Sequence, residues 1–289
     1  MKTNAIIRII IWSIVILLLL GILGGVLALD TFSFHHDESS WAAPILTTGS
    51  GEHHHEDHVL SQPETVTHIE IDWVAGTITI QPGDTDRIQL SESGKFDTSD
   101  AMVYRQYGKE LTIEYSKQDV YIGFYSAPVK DLTITVPRDW EGISISLDTA
   151  SADLHMTGIT VREVELDSAS GTAVFENCTI EELDLDTASG DLNYTGTLNT
   201  LECDAASANV HAVFSNAPRS VNVDAMSGNV DITLPENCGF AAQVETLSGD
   251  FHSDFDCTHN KNGGYVHGSG DCRIDISAAS GNVHIRKGK

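Results

Sequence analysis

Aspartates recur at one fixed place in the second half of the chain, three residues before a serine. They stand at Asp148, Asp167, Asp186, Asp204 and Asp224. Carboxylate oxygens are the ligands that Ca²⁺ takes in proteins, so a row of aligned aspartates predicts a ladder that this cation could occupy. The alternative is a solvated face whose charge repulsion is screened by salt. The glycine-rich Ca²⁺ repeat is absent from the sequence, so neither a dedicated Ca²⁺ site nor any other cofactor is indicated.

Histidines form a second group of candidate ligands, and several cluster beside Glu56 and Asp57. The clustered residues are His53, His54, His55 and His58. Neutral imidazole binds Zn²⁺, Ni²⁺ or Cu²⁺, and nearby carboxylates add ligands, so the cluster predicts a site that scavenges metal or senses pH. The alternative is a hydrophilic linker next to a membrane.

Four further histidines share one column of the repeat, four residues after its serine. They are His155, His211, His252 and His284. Only His252 and His284 belong to consecutive copies of the repeat, so the spacing does not favour a joint site.

Motifs for catalysis are missing from the sequence. It contains no Gly-x-Ser-x-Gly elbow, no phosphate-binding loop and no His-Glu-x-x-His pair. A polysaccharide lyase built on a β-helix needs clustered basic residues, whereas Arg162, Arg219 and Arg273 are scattered. We therefore predict that the protein is not an enzyme and that its repeated serines are corner residues.

The aspartates belong to an internal repeat whose core reads Asp-x-x-Ser-(Gly or Ala)-(Asp or Asn). Its central serines are Ser151, Ser170, Ser189, Ser207, Ser227, Ser248 and Ser280. The intervals between them are 19, 19, 18, 20, 21 and 32 residues. Self-similarity at such a period is typical of solenoid proteins. A weaker echo of the motif precedes the regular copies, at residues 72–76.

Two columns of the repeat are apolar, as inward-facing strand positions should be. Four residues before each serine stand Leu147, Leu166, Leu185, Cys203, Val223, Val244 and Ile276. Three residues after each serine stand Leu154, Ala173, Leu192, Val210, Val230, Phe251 and Val283. One short coil cannot bury such a face alone, but stacked coils bury a continuous core.

The sequence therefore predicts an all-β fold, a single-stranded parallel β-solenoid with regular repeats over residues 143–287. An antiparallel sandwich or propeller is the alternative, although its repeats would more often be about 40 residues long. Glycine after the serine fits a corner with positive φ. Ala152 and Ala208 occupy that place in two copies, so either those corners differ or the corner φ is negative.

The N-terminus carries a long apolar segment, Ile9–Leu29, of 21 uncharged residues. About 20 such residues form a helix that crosses a bilayer. Lys2 and Arg8 precede the segment, so the positive-inside rule places the N-terminus in the cytoplasm and the rest outside. A signal peptide cleaved after Ala28 is the alternative, although its apolar region would usually be shorter.

Three segments follow from these patterns. Residues 1–29 are a cytoplasmic tip and transmembrane signal-anchor, residues 30–65 a flexible linker rich in histidine and acids, and residues 66–289 the solenoid. The chain has 42 Asp and Glu against 16 Lys and Arg, a formal net charge of -26. Such a surface repels nucleic acid, so binding to DNA or RNA is disfavoured.

Five cysteines lie in the region predicted to be exported, where disulfides are permitted. Cys257 and Cys272 flank a turn signal at residues 262–264 and could face each other across a hairpin. The alternative is that all five are small buried apolar residues.

The repeat resembles a bacterial family, the putative-adhesin family of β-strand-repeat proteins. The resemblance is carried by residues 186–192 with their copies, and by the closing segment, residues 270–283. It covers roughly residues 66 to 287. It implies a β-solenoid, commonly tethered to a membrane in the bacterial envelope, and it brings no catalytic residues.

These features together predict a non-enzymatic module of the cell envelope, anchored in the cell membrane by one helix with its C-terminal domain outside. Its expected partners are the membrane and an envelope or surface protein or glycan. Two alternatives remain open. One is an accessory or sensor ectodomain of an envelope-stress system, and the other is a glycan-active β-helix enzyme.

Overall fold

The computed structural model describes residues 53–59, 66–97, 100–116, 127–261 and 263–288. These ranges contain β-strands and no α-helix, which confirms the predicted all-β class. No helix long and apolar enough to cross a membrane occurs within them. The predicted signal-anchor lies outside the described residues.

The strands of the N-terminal half are β1 His53–Val59, β2 His68–Gly83, β3 Gln89–Lys95, β4 Val103–Tyr107, β5 Glu110–Glu114, β6 Lys130–Pro137, β7 Ser144–Thr157, β8 Thr160–Ser170 and β9 Ala173–Ser189. Those of the C-terminal half are β10 Leu192–Ser207, β11 Val210–Phe214, β12 Ser220–Ser227, β13 Val230–Leu234, β14 Phe240–Ser248, β15 Phe251–Ser253, β16 Thr258–His259, β17 Tyr265–His267, β18 Cys272–Ser280 and β19 Val283–Lys287.

Consecutive coils of the chain stack in parallel, with residues of the same repeat column facing each other. β7 pairs with β8 so that Leu147 faces Leu166 and Ser151 faces Ser170. β8 pairs with β9, and β9 with β10, in the same register. Each coil has two arms, one on either side of the corner after the repeated serine. We name each coil by that serine.

The two apolar columns line the core, as predicted. Leu166 is 4 % exposed, Leu185 2 % and Val230 0 %. Val244 and Phe251 are only partly buried. Both belong to the outermost coil, which at these positions has a parallel neighbour on one side only.

The coils do not follow the order of the chain at the C-terminal end of the stack. β12 pairs with β18 and β13 with β19, so the Ser280 coil lies on the Ser227 coil. The Ser248 coil, formed by β14 and β15, packs on the outer side of the Ser280 coil. A simple sequential stack is therefore wrong at this end. The long interval before Ser280, which holds the β16–β17 hairpin, lets the chain leave the stack and return inside it.

An equivalent exchange occurs at the N-terminal end. β2 lies between β7 and an outer coil formed by β5 and β6. Antiparallel strands extend this outer coil, since β4 pairs with β5, β3 with β6 and β1 with β3. Residues 53–59 were predicted to be part of the flexible linker, but they form strand β1. Hydrogen bonds to a sheet edge form this strand, and apolar periodicity is not needed for them. The rest of the linker lies outside the described residues.

A buried ion pair lies at this N-terminal end. Lys130 Nζ is 2.6 Å from Glu92 Oε1, and both side chains are 0 % exposed. The ammonium also lies over the rings of Trp73, Phe96 and Tyr115. Burial lowers the pKa of Lys130, and the bond to Glu92 opposes that change.

The corners explain why glycine follows the repeated serine. Gly171 has a φ of 131° and Gly228 a φ of 129°. A Cβ on Gly228 would lie 1.7 Å from the carbonyl oxygen of Ala208 in the coil beneath. Ala152 and Ala208 do not have positive φ. The corners therefore differ, which was one of the two possibilities left open by the sequence.

The Asp or Asn that ends the motif joins each corner to the next coil. Asp191 Oδ1 accepts the backbone N–H of Asn209 at 2.8 Å, and Asn209 Oδ1 accepts that of Asn229 at 3.1 Å. Asn229 Oδ1 accepts the N–H of Asn282 at 3.0 Å, which follows the exchanged order of the coils. This column of the motif is therefore structural.

All five cysteines are free. A hairpin does form after Cys257, but it pairs Thr258 with Val266 and does not bring Cys257 opposite Cys272. Cys272 is buried at the start of β18, and burial raises the pKa of its thiol to about 12. The possible Cys257–Cys272 disulfide is therefore not formed, because the hairpin closes before β18 begins. Four of the five cysteines are buried, as the alternative has it, and Cys257 is half-buried.

Candidate functional site

The repeated aspartates form one continuous ladder across the parallel sheet. Each faces the next in register: Asp148, Asp167, Asp186, Asp204 and Asp224. Asp72 of β2 faces Asp148 and extends the ladder by one coil. The weak echo of the motif at residues 72–76 was the sequence signal for this extra member. Beyond Asp224 the ladder is interrupted, because the exchanged coil places Ser277 there.

A second column of acids runs beside the ladder, two residues earlier in each coil. Glu165 faces Asp184, and Asp184 faces Glu202. Asn222 continues the column in the Ser227 coil. Since side chains two residues apart in a strand point to the same side, both columns contribute carboxylates to one surface. We call this surface the acidic face.

Proton affinity is raised on this face. The pKa of Asp184 is raised to about 7, first because the side chain is half-buried and then because Asp186 and Glu202 lie close to it. The pKa values of Asp167 and Asp186 are also raised, first by desolvation beside the packed neighbouring coils and then by nearby carboxylates, although both residues are exposed to solvent. Charge repulsion alone would raise these pKa values, but loss of hydration is the larger cause, and it is greatest at the half-buried Asp184.

The few basic side chains beside this face lie at its margins. Arg162 pairs with Glu163 at 2.8 Å, and Arg273 Nη2 is 3.7 Å from Asp275. The face can therefore attract cations, whether metal ions or basic groups of a partner. Binding of Ca²⁺ to the ladder stays a prediction.

The clustered histidines of the predicted linker fall on β1. His58 is half-buried and its ring lies 5.0 Å from the ring of Tyr104, between centroids. The side chains of His53, His54 and His55 lie outside the description, so the predicted metal site in this segment stays a prediction.

The cluster of His252, Asp254 and His284 was not predicted from the sequence. In chain order His252 would lie next to Asp231, but the exchanged coil places His284 between them. The only sequence signal was that His252 and His284 share a column of the repeat. Their register could not be known without the order of the coils.

The fold and the acidic face define the class: an all-β repeat protein, a parallel β-solenoid with carboxylates stacked on one exposed surface. The family model described as Toastrack DUF4097 matches residues 66–286. The chain belongs to this family. The resemblance drawn from the repeat is thereby confirmed, while the anchor is not covered by the match.

Similar solved structures carry descriptions as binding or adhesion proteins. A putative adhesin from Bacteroides fragilis is 15% identical with a TM-score of 0.48, over 82% of this chain and 98% of that chain. A putative cell adhesion protein from Clostridium sporogenes is 12% identical with a TM-score of 0.41, over 82% and 100%. A putative lipid binding protein from Parabacteroides distasonis is 15% identical with a TM-score of 0.37, over 83% and 98%. No curated protein matches the chain.

Proposed function

We propose that this protein is a non-enzymatic scaffold, tethered to the cell membrane by residues 9–29, that binds a cationic partner in the cell envelope through its acidic face. The observation that carries the proposal is the unbroken ladder from Asp72 to Asp224. The partner that fits this surface is a protein segment rich in lysine and arginine.

Electrostatics give the ladder a reason to bind such a partner. Two carboxylates about 4.8 Å apart on neighbouring strands repel each other by about 0.9 kcal/mol in water. The five neighbouring pairs between Asp72 and Asp224 therefore cost roughly 4 kcal/mol before screening. A cationic segment laid along the face removes part of this cost, and long-range attraction speeds its association.

The exported location is supported by the sequence. The uncharged segment at residues 9–29 is long enough to span a bilayer, and the basic residues precede it. N-terminal sequencing of protein from the membrane fraction should return the uncleaved N-terminus. A mature chain that starts at Leu29 would instead indicate a cleaved signal peptide and contradict the tether.

Site-specific photo-crosslinking in whole cells tests the partner. Ala188 is exposed on the strand that carries Asp186, whereas Asn193 is exposed on the other arm, beyond the corner. We expect benzoylphenylalanine at Ala188 to capture a partner protein, and the same probe at Asn193 to capture little.

The charge dependence of this capture separates the proposal from a nonspecific contact. Changing Asp167 and Asp186 to asparagine should abolish the adduct at Ala188, and raising the salt concentration should weaken it. Equal adducts at both positions, or an adduct unaffected by the two changes, would refute binding through the acidic face. Identification of a regulator of envelope stress in the adduct would favour the sensor role over simple adhesion.

A further inference from the structure

The exchange of coils at the C-terminal end brings together side chains that are far apart in the sequence. β15 and β19 pair so that His252 faces His284. Their ring centroids are 4.6 Å apart. Asp254 follows β15 directly, and its backbone N–H donates to the carbonyl oxygen of Ile285 at 3.0 Å. That bond fixes the main chain at Asp254, and the carboxylate of this residue lies beside both rings.

The same nitrogen of each ring points at one carboxylate oxygen. Asp254 Oδ1 lies 2.9 Å from His284 Nε2 and 3.3 Å from His252 Nε2. One ligand atom from each of the three residues lies within 4.8 Å of the others. Ligands bonded to Zn²⁺ at about 2.05 Å in a tetrahedron are about 3.4 Å apart, so the cluster is close to the size that the ion requires.

We propose that His252, Asp254 and His284 form a binding site for a divalent transition metal, with Zn²⁺ as the ion that fits it. Two imidazoles and one carboxylate are a donor set for Zn²⁺ and its first-row neighbours. Ca²⁺ is a poor fit, because it takes six to eight oxygen ligands. The site differs from the acidic face, which offers carboxylates alone.

Charged groups on the neighbouring coil and strand surround the three ligands. Asp231 faces His284 from the coil beneath, with Oδ1 3.8 Å from Nδ1. In the structure His284 Nε2 is hydrogen-bonded to Asp254 Oδ1, and a metal at Nε2 would take the place of that proton. The carboxylate on the other side of the ring then favours a proton on Nδ1. Arg286 pairs with Asp231 and holds it in place. The other oxygen of Asp254 accepts the N–H of Lys287 at 3.3 Å.

Solvent reaches the cluster, so an ion can enter and leave. The side chains of His252, Asp254 and His284 are 68 %, 37 % and 22 % exposed. Three protein ligands leave a fourth position of a tetrahedral ion open to water or to a ligand atom from a partner. A bound ion would also join the outermost coil to its inner neighbour, because His252 and Asp254 belong to one and His284 to the other.

Zinc titration of the full-length protein tests the site. The predicted linker, residues 30–65, contains six histidines that could bind zinc independently. The background variant therefore has asparagine at all six: His35, His36, His53, His54, His55 and His58. In this background we expect one Zn²⁺ per chain and, at a hundredfold excess over Kd, a rise of several degrees in Tm. Any rise in Tm that CaCl₂ gives at matched ionic strength should be the same with and without His252→Ala, because this site does not bind Ca²⁺.

Two substitutions should remove the site and one should not. His252→Ala and Asp254→Asn should each abolish the bound zinc and the rise in Tm. His155→Ala is the matched control, because His155 is an exposed histidine in the same repeat column at a distant coil, and it should keep both. Unfolding in EDTA confirms that each variant folds. A zinc-dependent rise in His252→Ala equal to that in His155→Ala would overturn the proposal.

Asp231 provides a test of the orienting contact. Asp231→Asn should weaken zinc binding by about tenfold or more, with one Zn²⁺ per chain still bound at saturation. A structural role alone would lower the Tm in EDTA but leave the zinc Kd unchanged.

Discussion

Replacing Asp184 by asparagine should stabilise the protein at alkaline pH. Asp184 lies half-buried in the second column of the acidic face, where burial and the nearby Asp186 and Glu202 raise its pKa to about 7. Asparagine keeps the shape of the side chain and removes the charge. The fold already accepts this residue in the same column, at Asn222.

The size of the effect follows from the pKa. A rise from 3.8 to about 7, at about 1.4 kcal/mol per unit of pKa, corresponds to about 4 kcal/mol. Solvent reaches Asp184 and screens its charge, so we expect about 1–2 kcal/mol. For a domain of this size that is a rise in Tm of about 3–6 °C.

The pH dependence has a definite sign. A carboxyl group with a raised folded pKa favours folding fully below its unfolded pKa of 3.8, and this benefit is lost as pH rises through about 7. The Asp184→Asn variant should therefore have a higher Tm than the wild type at pH 8, and nearly the same Tm near pH 4.

Thermal unfolding followed by circular dichroism at the two pH values measures the difference. Asp139→Asn is the control, since Asp139 is exposed in a turn outside the acidic face, and it should change the Tm at neither pH. An equal shift at both pH values, or a lower Tm for Asp184→Asn at pH 8, would refute the electrostatic reasoning.

Three further substitutions test the core, the corners and the N-terminal end. Leu185→Asp buries an unpaired charge at a position 2 % exposed and should cost several kcal/mol; near-wild-type stability in urea would show that the register is wrong. Gly228→Ala places a Cβ 1.7 Å from a carbonyl oxygen and should lower the free energy of unfolding by more than about 2 kcal/mol. Gly142→Ala is the control, because a Cβ there meets nothing within 4 Å, and it should cost only about 1 kcal/mol for its positive φ. Equal costs for the two variants would contradict the steric argument. Lys130→Met leaves Glu92 buried without its cation and should cost about 3–5 kcal/mol in denaturant unfolding. Adding Glu92→Gln should restore much of the lost stability. A double variant no more stable than Lys130→Met alone would contradict the role of the ion pair.

The interior of the solenoid was predictable because each repeat carries the same local pattern. Leu166 and Leu185 occupy positions that face the core, and such positions require apolar side chains. Because side chains alternate along a strand, the following residues, Asp167 and Asp186, must point outward. Register within the central coils follows from the repeat length. The acidic ladder could therefore be assembled from the sequence alone.

The ends were not predictable from that pattern. The pattern of a repeat shows which side of each strand faces the core, but it does not show which other copy of the repeat pairs with the edge of that strand. Either the Ser248 coil, with Glu245, or the Ser280 coil, with Ser277, could stack on the Ser227 coil, since both have the same apolar columns. The His252–His284 contact depends wholly on this choice, and so does β1, whose pairing comes from backbone hydrogen bonds.

The exchanged order of the coils also affects which strands can pair first while the chain is being synthesised. β14 begins at Phe240 and its parallel partner β18 at Cys272, 32 residues later. A ribosome adds about 5–20 residues per second, so β14 exists for about 2–6 s before that partner is made. Throughout this interval β14 could pair with the open edge of β12, in a sequential stack that resembles the native one. Correct closure of this end therefore requires either that this early pairing be weak or that it be undone when β18 arrives.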